Sequence, residues 1–207
     1  MSRIKFFMVS LISFVVFLTT PVYGSYLFGE GDLGRFTGEL GYYIINQDTA
    51  QIIVNIVNQS KEEGYLTAIA FLLPEDIVLT GFSSQPETFE ALAYPINVQP
   101  FDKDYGLGAS TFKSWEGGGN PSNGIAKGDD GTFTFTITGD NLYKLNDRSF
   151  INNNSFVVRF RGFENGGSDK VQINNGPSGQ VPEPITLVLL GSGLLFFGIK
   201  RRKKHDT

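Results

Sequence analysis

The clearest pattern along the chain is an alternation of apolar and polar residues with a period of two. In Thr132 to Thr138 (TFTFTIT), Phe133, Phe135 and Ile137 fall on one side, and Thr132, Thr134, Thr136 and Thr138 fall on the other. Successive strand side chains point to opposite faces, so this is a half-buried antiparallel strand. Ser155 to Phe163 repeats the pattern, with Phe156, Val158 and Phe160 expected inward and Arg159 and Arg161 outward. Thr49 to Gln59 places Ile52, Val54 and Ile56 on one face. Phe36 to Ile45, Gly64 to Pro74 and the shorter Asp76 to Phe82 read as three more strands. Turn-forming residues separate them: Asn58 to Ser60 through Gly64, Pro74-Glu75-Asp76, Asp129-Asp130-Gly131 and Gly139-Asp140-Asn141. No long segment between them carries a helical stripe. The expected fold is all-β, an antiparallel β-sandwich of immunoglobulin-like or jelly-roll topology. Thirteen of the 19 phenylalanines lie between residues 25 and 180, enough large side chains to fill a core between two sheets.

Two apolar stretches do not alternate, and they flank the rest. Arg3 and Lys5 precede Phe6 to Leu18, 13 residues without charge, and Val22-Tyr23-Gly24 then offers a cleavage site between Gly24 and Ser25. The stretch is short against the roughly 20 residues of a membrane span and reads as a secretory signal peptide over residues 1–24; the rival reading is an uncleaved anchor. At the other end, Ile185 to Ile199 is 15 uncharged residues, about 22 Å as a helix, followed by Lys200, Arg201, Arg202, Lys203 and Lys204. Snorkelling of these cations can stretch the segment across a bilayer, and they hold the C-terminal stub in the cytoplasm. Pro184 suits the first turn of the helix. The predicted order is signal peptide 1–24, β-domain 25–173, linker 174–180 (NNGPSGQ) and tail 181–204.

Charge follows this division. Residues 25–180 hold 19 of the 21 acidic residues and 10 of the 17 Lys and Arg, so their formal charge is 10 − 19 = −9. So acidic a body repels phosphate backbones, which argues against nucleic acid as a partner. The chain has no cysteine, and its single histidine is His205 in the tail. Disulfides, thiolate zinc, histidine metal sites and Ser-His or Cys-His nucleophiles are thereby excluded from the body. An acid-pair glycosidase mechanism needs two carboxyls facing one cleft, and the sequence singles out no such pair. The domain is expected to be non-enzymatic and to need no cofactor.

Other features give weaker signals. Gly29 to Gly34 (GEGDLG) matches a dinucleotide-binding pattern, but a strand follows it where a helix is required, so it reads as a flexible N-terminal turn. Acids cluster at Asp102/Asp104, Asp129/Asp130 and Asp140. Calcium is the cation such oxygens would hold, but no spaced calcium loop is present and turn formation accounts for these residues as well. Trp115, the one tryptophan, sits in a glycine-rich loop over Lys113 to Gly128, and with Tyr105 and Phe112 it could form a sugar-stacking platform; the alternative is that they plug the sandwich edge. The threonine row of 132–138 resembles the Thr-x-Thr rows of some ice-binding surfaces, although one strand is not an array. Asn58-Gln59-Ser60 and Asn153-Asn154-Ser155 are sequons.

Val181-Pro182-Glu183-Pro184, an apolar helix containing Leu189-Leu190-Gly191-Ser192-Gly193-Leu194-Leu195, and Arg201-Arg202-Lys203-Lys204 together resemble the PEP-CTERM sorting signal of Gram-negative and related bacteria. The same segment is also known as an ice-binding-protein C-terminal domain, a label that does not itself imply ice binding. The resemblance implies recognition by an exosortase, a membrane protease-transpeptidase, acting at or near Pro182-Glu183-Pro184 after the secretion machinery and signal peptidase have delivered the chain. It further implies transient anchoring in the inner membrane, then display at the cell surface or in an extracellular matrix of exopolysaccharide or biofilm. Glu116 to Pro121 and Arg161-Gly162-Phe163 are similar to the Phe/Gly-rich β-bodies that accompany such tails. Two alternatives stay open: a carbohydrate-binding module on the same tail, and a plain single-span membrane-anchored protein.

Overall fold

The computed structural model describes residues 24–116, 118–151 and 155–174. They form eleven strands and three single-turn 3₁₀ segments. The six expected strands are all present, as β2 (Arg35–Asn46), β3 (Thr49–Asn58), β4 (Tyr65–Phe71), β5 (Ile77–Gln85), β9 (Asp130–Gly139) and β10 (Phe156–Arg161). Five others join them: β1 (Ser25–Glu30), β6 (Glu90–Val98), β7 (Phe101–Ser110), the short β8 (Ile125–Ala126) and β11 (Ser168–Gln172). A first sheet runs β1-β2-β3-β9-β5 and a second runs β11-β10-β4-β7-β6, with β8 added against β4. Every pairing is antiparallel.

The two sheets meet across one apolar layer. The alternation in β3 and β9 does what the sequence says: Ile52, Val54, Ile56, Phe133, Phe135 and Ile137 are fully buried. Facing them from the second sheet are Ile69, Phe71, Leu107, Phe156, Val158 and Phe160. Phenylalanine rings bridge the layer. Phe71 meets Phe135 edge-on at 5.3 Å and Phe36 reaches Phe156 at 6.0 Å across the layer, while Phe71 stacks with Phe156 at 5.9 Å within the second sheet. Such pairs add to the area term of burial.

The second sheet is also covered on its outer side. Ala68, Ala70, Ile96, Val98, Tyr105, Trp115 and Val157 form a separate buried cluster there. β4 and β10 are thus buried on both faces, and Arg159, which points outward as expected, is covered there and only 8% exposed. The Gly29–Gly34 segment also departs from expectation. Gly29 and Glu30 belong to β1, and the turn that follows is fixed rather than flexible. Gly31 N–H donates to the Gly34 carbonyl at 2.8 Å, and the Leu33 and Gly34 N–H groups donate to Asp169 Oδ2 at 2.9 and 2.8 Å. A Cβ on Gly34 would lie 2.4 Å from the Phe160 ring, so glycine is required there for close packing.

Candidate functional site

The loop after β7 crosses the outer face of the second sheet as a strap. Trp115 is its anchor, 3% exposed against the small side chains of Ala68 and Ala70. Arg159 Nη1 donates to the Trp115 carbonyl at 2.6 Å, and Arg161 Nη1 donates to the Gly118 carbonyl at 2.6 Å. Lys170 Nζ sits 3.0 Å from Glu116 Oε1 and also donates to the Gln99 carbonyl, whereas Arg159 Nη1 is 3.8 Å from Glu116 Oε2. The Glu116 carboxylate therefore belongs mainly to Lys170. Burial pulls the Arg159 pKa down, and Glu116 partly offsets this; a guanidinium stays charged regardless. Trp115 Nε1 and Arg159 Nε are buried without a hydrogen-bond partner among the described residues.

This placement corrects the expected stacking platform. Tyr105 is fully buried and Trp115 nearly so, while Phe112 is 39% exposed. The Tyr105 hydroxyl accepts from Gln172 Nε2 at 3.2 Å, and burial raises its pKa. Two of the three rings hold the strap down and present no open face to a sugar. Asp129 and Asp130 are exposed at the start of β9, and Asp140 is exposed beyond its other end. Nine residue steps of strand put them about 30 Å apart, so the three cannot share one cation. Among the described residues no group of three or more metal-ligating side chains converges. The Asp102 and Asp104 side chains lie outside the described set.

The first sheet leaves its outer face to solvent, and only its threonine row on β9 was legible in advance. Register aligns Tyr26, Glu39, Asn55, Thr132 and Gln85 in one row across all five strands. Thr132 Oγ1 donates to Asn55 Oδ1 at 2.8 Å and fixes the amide. Beside this row lies an open hollow of about 490 Å³, lined by Tyr26, Thr37, Glu39, Asn55, Val57 and Asp130 among others. Tyr26 is 47% exposed. Tyr43, on the same face, lies along its strand: a Cβ on Gly41 would meet the Tyr43 hydroxyl at 2.7 Å and its ring at 2.8 Å. Burial and the nearby Glu39 charge raise the Tyr43 pKa.

β1 begins at Ser25, whose hydroxyl donates to Asp147, so the strand starts where the mature chain is expected to start. The expected signal peptide, Pro182-Glu183-Pro184, the expected apolar helix 185–199 and the cations Lys200 to Lys204 lie outside the described residues. Among those described, no helix is long and apolar enough to cross a membrane. Comparison of the tail with known families is decisive: residues 180–203 match the PEP-CTERM protein-sorting motif. The chain carries a PEP-CTERM sorting motif. The motif covers 24 of the 207 residues and implies an exosortase as processing partner, with export and sorting to the surface through a transient membrane stage. No curated protein matches the chain. Among solved structures, the PEP-CTERM chain is similar to one described as the unique CBM3 of Hungateiclostridium clariflavum, at 12% identity and a TM-score of 0.32, over 74% of this chain and 97% of that one.

Proposed function

We propose that the protein is an exported, non-enzymatic surface or extracellular-matrix protein, sorted through its PEP-CTERM tail by an exosortase and associated with exopolysaccharide. The observation that carries the proposal is the match of residues 180–203 to the sorting motif. Its support is the layout of the chain. A sandwich running from Ser25 to Gln172 sits between a signal-peptide pattern and the tail, and each flanking segment brings the cations that set topology. The absence of histidine and cysteine from residues 25–180 favours binding or scaffolding over catalysis.

The test is genetic. In a strain lacking the exosortase, the chain should accumulate in the inner membrane with Thr207 intact, as read by mass spectrometry of its C-terminus. Replacing Pro182-Glu183-Pro184 by alanines should reproduce this in an otherwise normal strain. Unchanged surface display in both strains would defeat the sorting proposal, and an intact C-terminus in the parent strain would favour plain single-span anchoring.

A further inference from the structure

We propose that the outer face of the first sheet is a glycan-binding site whose ligand is a polysaccharide bearing free amino groups, laid across β1, β2 and β3 over Tyr26, Tyr43, Glu39 and Asn55. This deepens the extracellular reading above and rests on it for the supply of such a polymer.

The first argument is the posture of Tyr43. A side chain on a sheet face ordinarily stands away from the strand. Here Gly41 lets the ring lie down, with its hydroxyl and ring edge where a Cβ would otherwise be. The ring packs over Gly41, and Tyr43 remains only part-buried. Tyr26, on the neighbouring strand opposite Glu39 and so two positions along from Gly41, adds a second half-exposed ring. Neither ring belongs to the buried clusters, so the fold does not need them for its core. The C–H face of a pyranose is apolar, and its rim of hydroxyls is polar. An aromatic face beside fixed hydrogen-bonding groups answers both. Glu39 and Asn55 stand directly opposite each other, and Thr132 and Gln85 continue the row. Five strands at about 4.8 Å give a row about 19 Å long, room for several sugar units.

The second argument is charge. Glu39 and Asp130 line the hollow, and no lysine or arginine does. The mature body around it carries 10 cations against 19 anions. An acidic polymer is repelled by this field, and a neutral one gains nothing from it. An ammonium group is attracted both to the carboxylates and to the tyrosine faces. A second copy of the chain is a poor occupant, because a two-fold contact through this face would set each hollow's carboxylates against their own copies.

The experiment uses the domain of residues 25–174, which encloses its own core. Calorimetric titration is run with the β-1,4-linked glucosamine hexamer, its fully N-acetylated counterpart and an oligogalacturonate of equal length. Binding of the glucosamine hexamer is expected, with the acetylated hexamer at least about tenfold weaker and no binding of the galacturonate. Tyr43→Ala and Glu39→Gln should each weaken glucosamine binding about tenfold, and Tyr43→Phe should retain it. Glu75→Gln, which removes an exposed charge elsewhere, should change it less than twofold; the thermal midpoint of every variant confirms folding. No binding of the hexamer overturns the proposal. So does equal binding of the acetylated form, or an equal loss in Glu75→Gln, which would mean bulk attraction without a site. Because this domain has no tail, a failed sorting test and a failed titration are separate results.

Discussion

Single residues carry more of this fold than their exposure in sequence suggests. Asn58 is fully buried, and its amide group is fully engaged. Nδ2 donates to the Gly64 carbonyl at 3.0 Å and to the Ile125 carbonyl at 2.8 Å, while Oδ1 accepts from the Ser60 N–H at 3.0 Å and from the Ser60 hydroxyl. One side chain thus ties the end of β3 to the following turn and to β8. The same geometry disposes of Asn58-Gln59-Ser60 as a sequon, since the folded protein offers no access to that amide; Asn153-Asn154 lies outside the described residues. Asn58→Ala leaves two buried carbonyls without donors, at about 1–3 kcal/mol each. Denaturant melts should show a loss of at least about 2 kcal/mol with an unchanged slope. Tyr105 gives a pH signature. Burial raises its folded pKa, and the hydrogen bond from Gln172 acts weakly the other way. Its contribution is therefore complete below the unfolded value near 10 and is lost as pH rises through the higher folded value. Stability should fall on the alkaline side, and Tyr105→Phe should flatten that limb. Tyr42, also raised by burial, leaves part of the slope in place.

At the scale of elements, the strap over the second sheet is the feature most exposed to test. Arg159 and Arg161 donate from β10 to strap carbonyls, and Trp115 fills the space beneath. Arg159→Ala removes a charge-assisted bond from a buried site and opens a gap under the strap, a loss of about 2–4 kcal/mol. As Trp115 is the one tryptophan, its emission should shift to the red, and proteolysis should concentrate between Lys113 and Gly128. An unshifted emission would mean that packing alone holds the strap. How far the elements could be read in advance follows from their physics. β3 and β9 have one solvated face and one core face, so period two appears plainly in their residues. β10 alternates too, but alternation assigns faces without saying what covers them, so Arg159 was placed on the right face and its burial under the strap was not legible. β6 and β7 escaped because bulges between Ala93 and Ile96 and between Asn97 and Val98, with Pro95 and Gly106, break the period. β11 is a short polar edge strand with little apolar signal. The candidate site escaped for a different reason: Tyr26, Glu39, Asn55 and Thr132 come from four strands, and only the register β1-β2-β3-β9 puts them in one row.

For the whole molecule, the question is whether the sandwich depends on the segments that flank it. Its described core runs from Leu27 to Val171 and closes on itself through the phenylalanine pairs Phe71–Phe135 and Phe36–Phe156 between the sheets. The N-terminal edge is secured inside the domain, with β1 in register against β2 from Ser25 onward. The C-terminal edge is secured likewise, since Ile173 N–H donates to the Phe156 carbonyl at 2.9 Å and Asn174 N–H to the Phe28 carbonyl at 2.8 Å. The last of these bonds falls on Asn174, the first residue of the expected linker, so cleavage at Pro182-Glu183-Pro184 would fall beyond every bond that holds the sheets among the described residues. The domain of residues 25–174 should accordingly melt within about 2–4 °C of the detergent-solubilised full-length chain, the shift that about 1 kcal/mol produces at this size. Differential scanning calorimetry of the two decides it. A substantially lower midpoint for the short form would mean that the tail packs on the sandwich, and processing would then release a weakened protein. Equal midpoints fit a tail that is an address and nothing more, one that can be removed at the membrane without cost to the body it delivers.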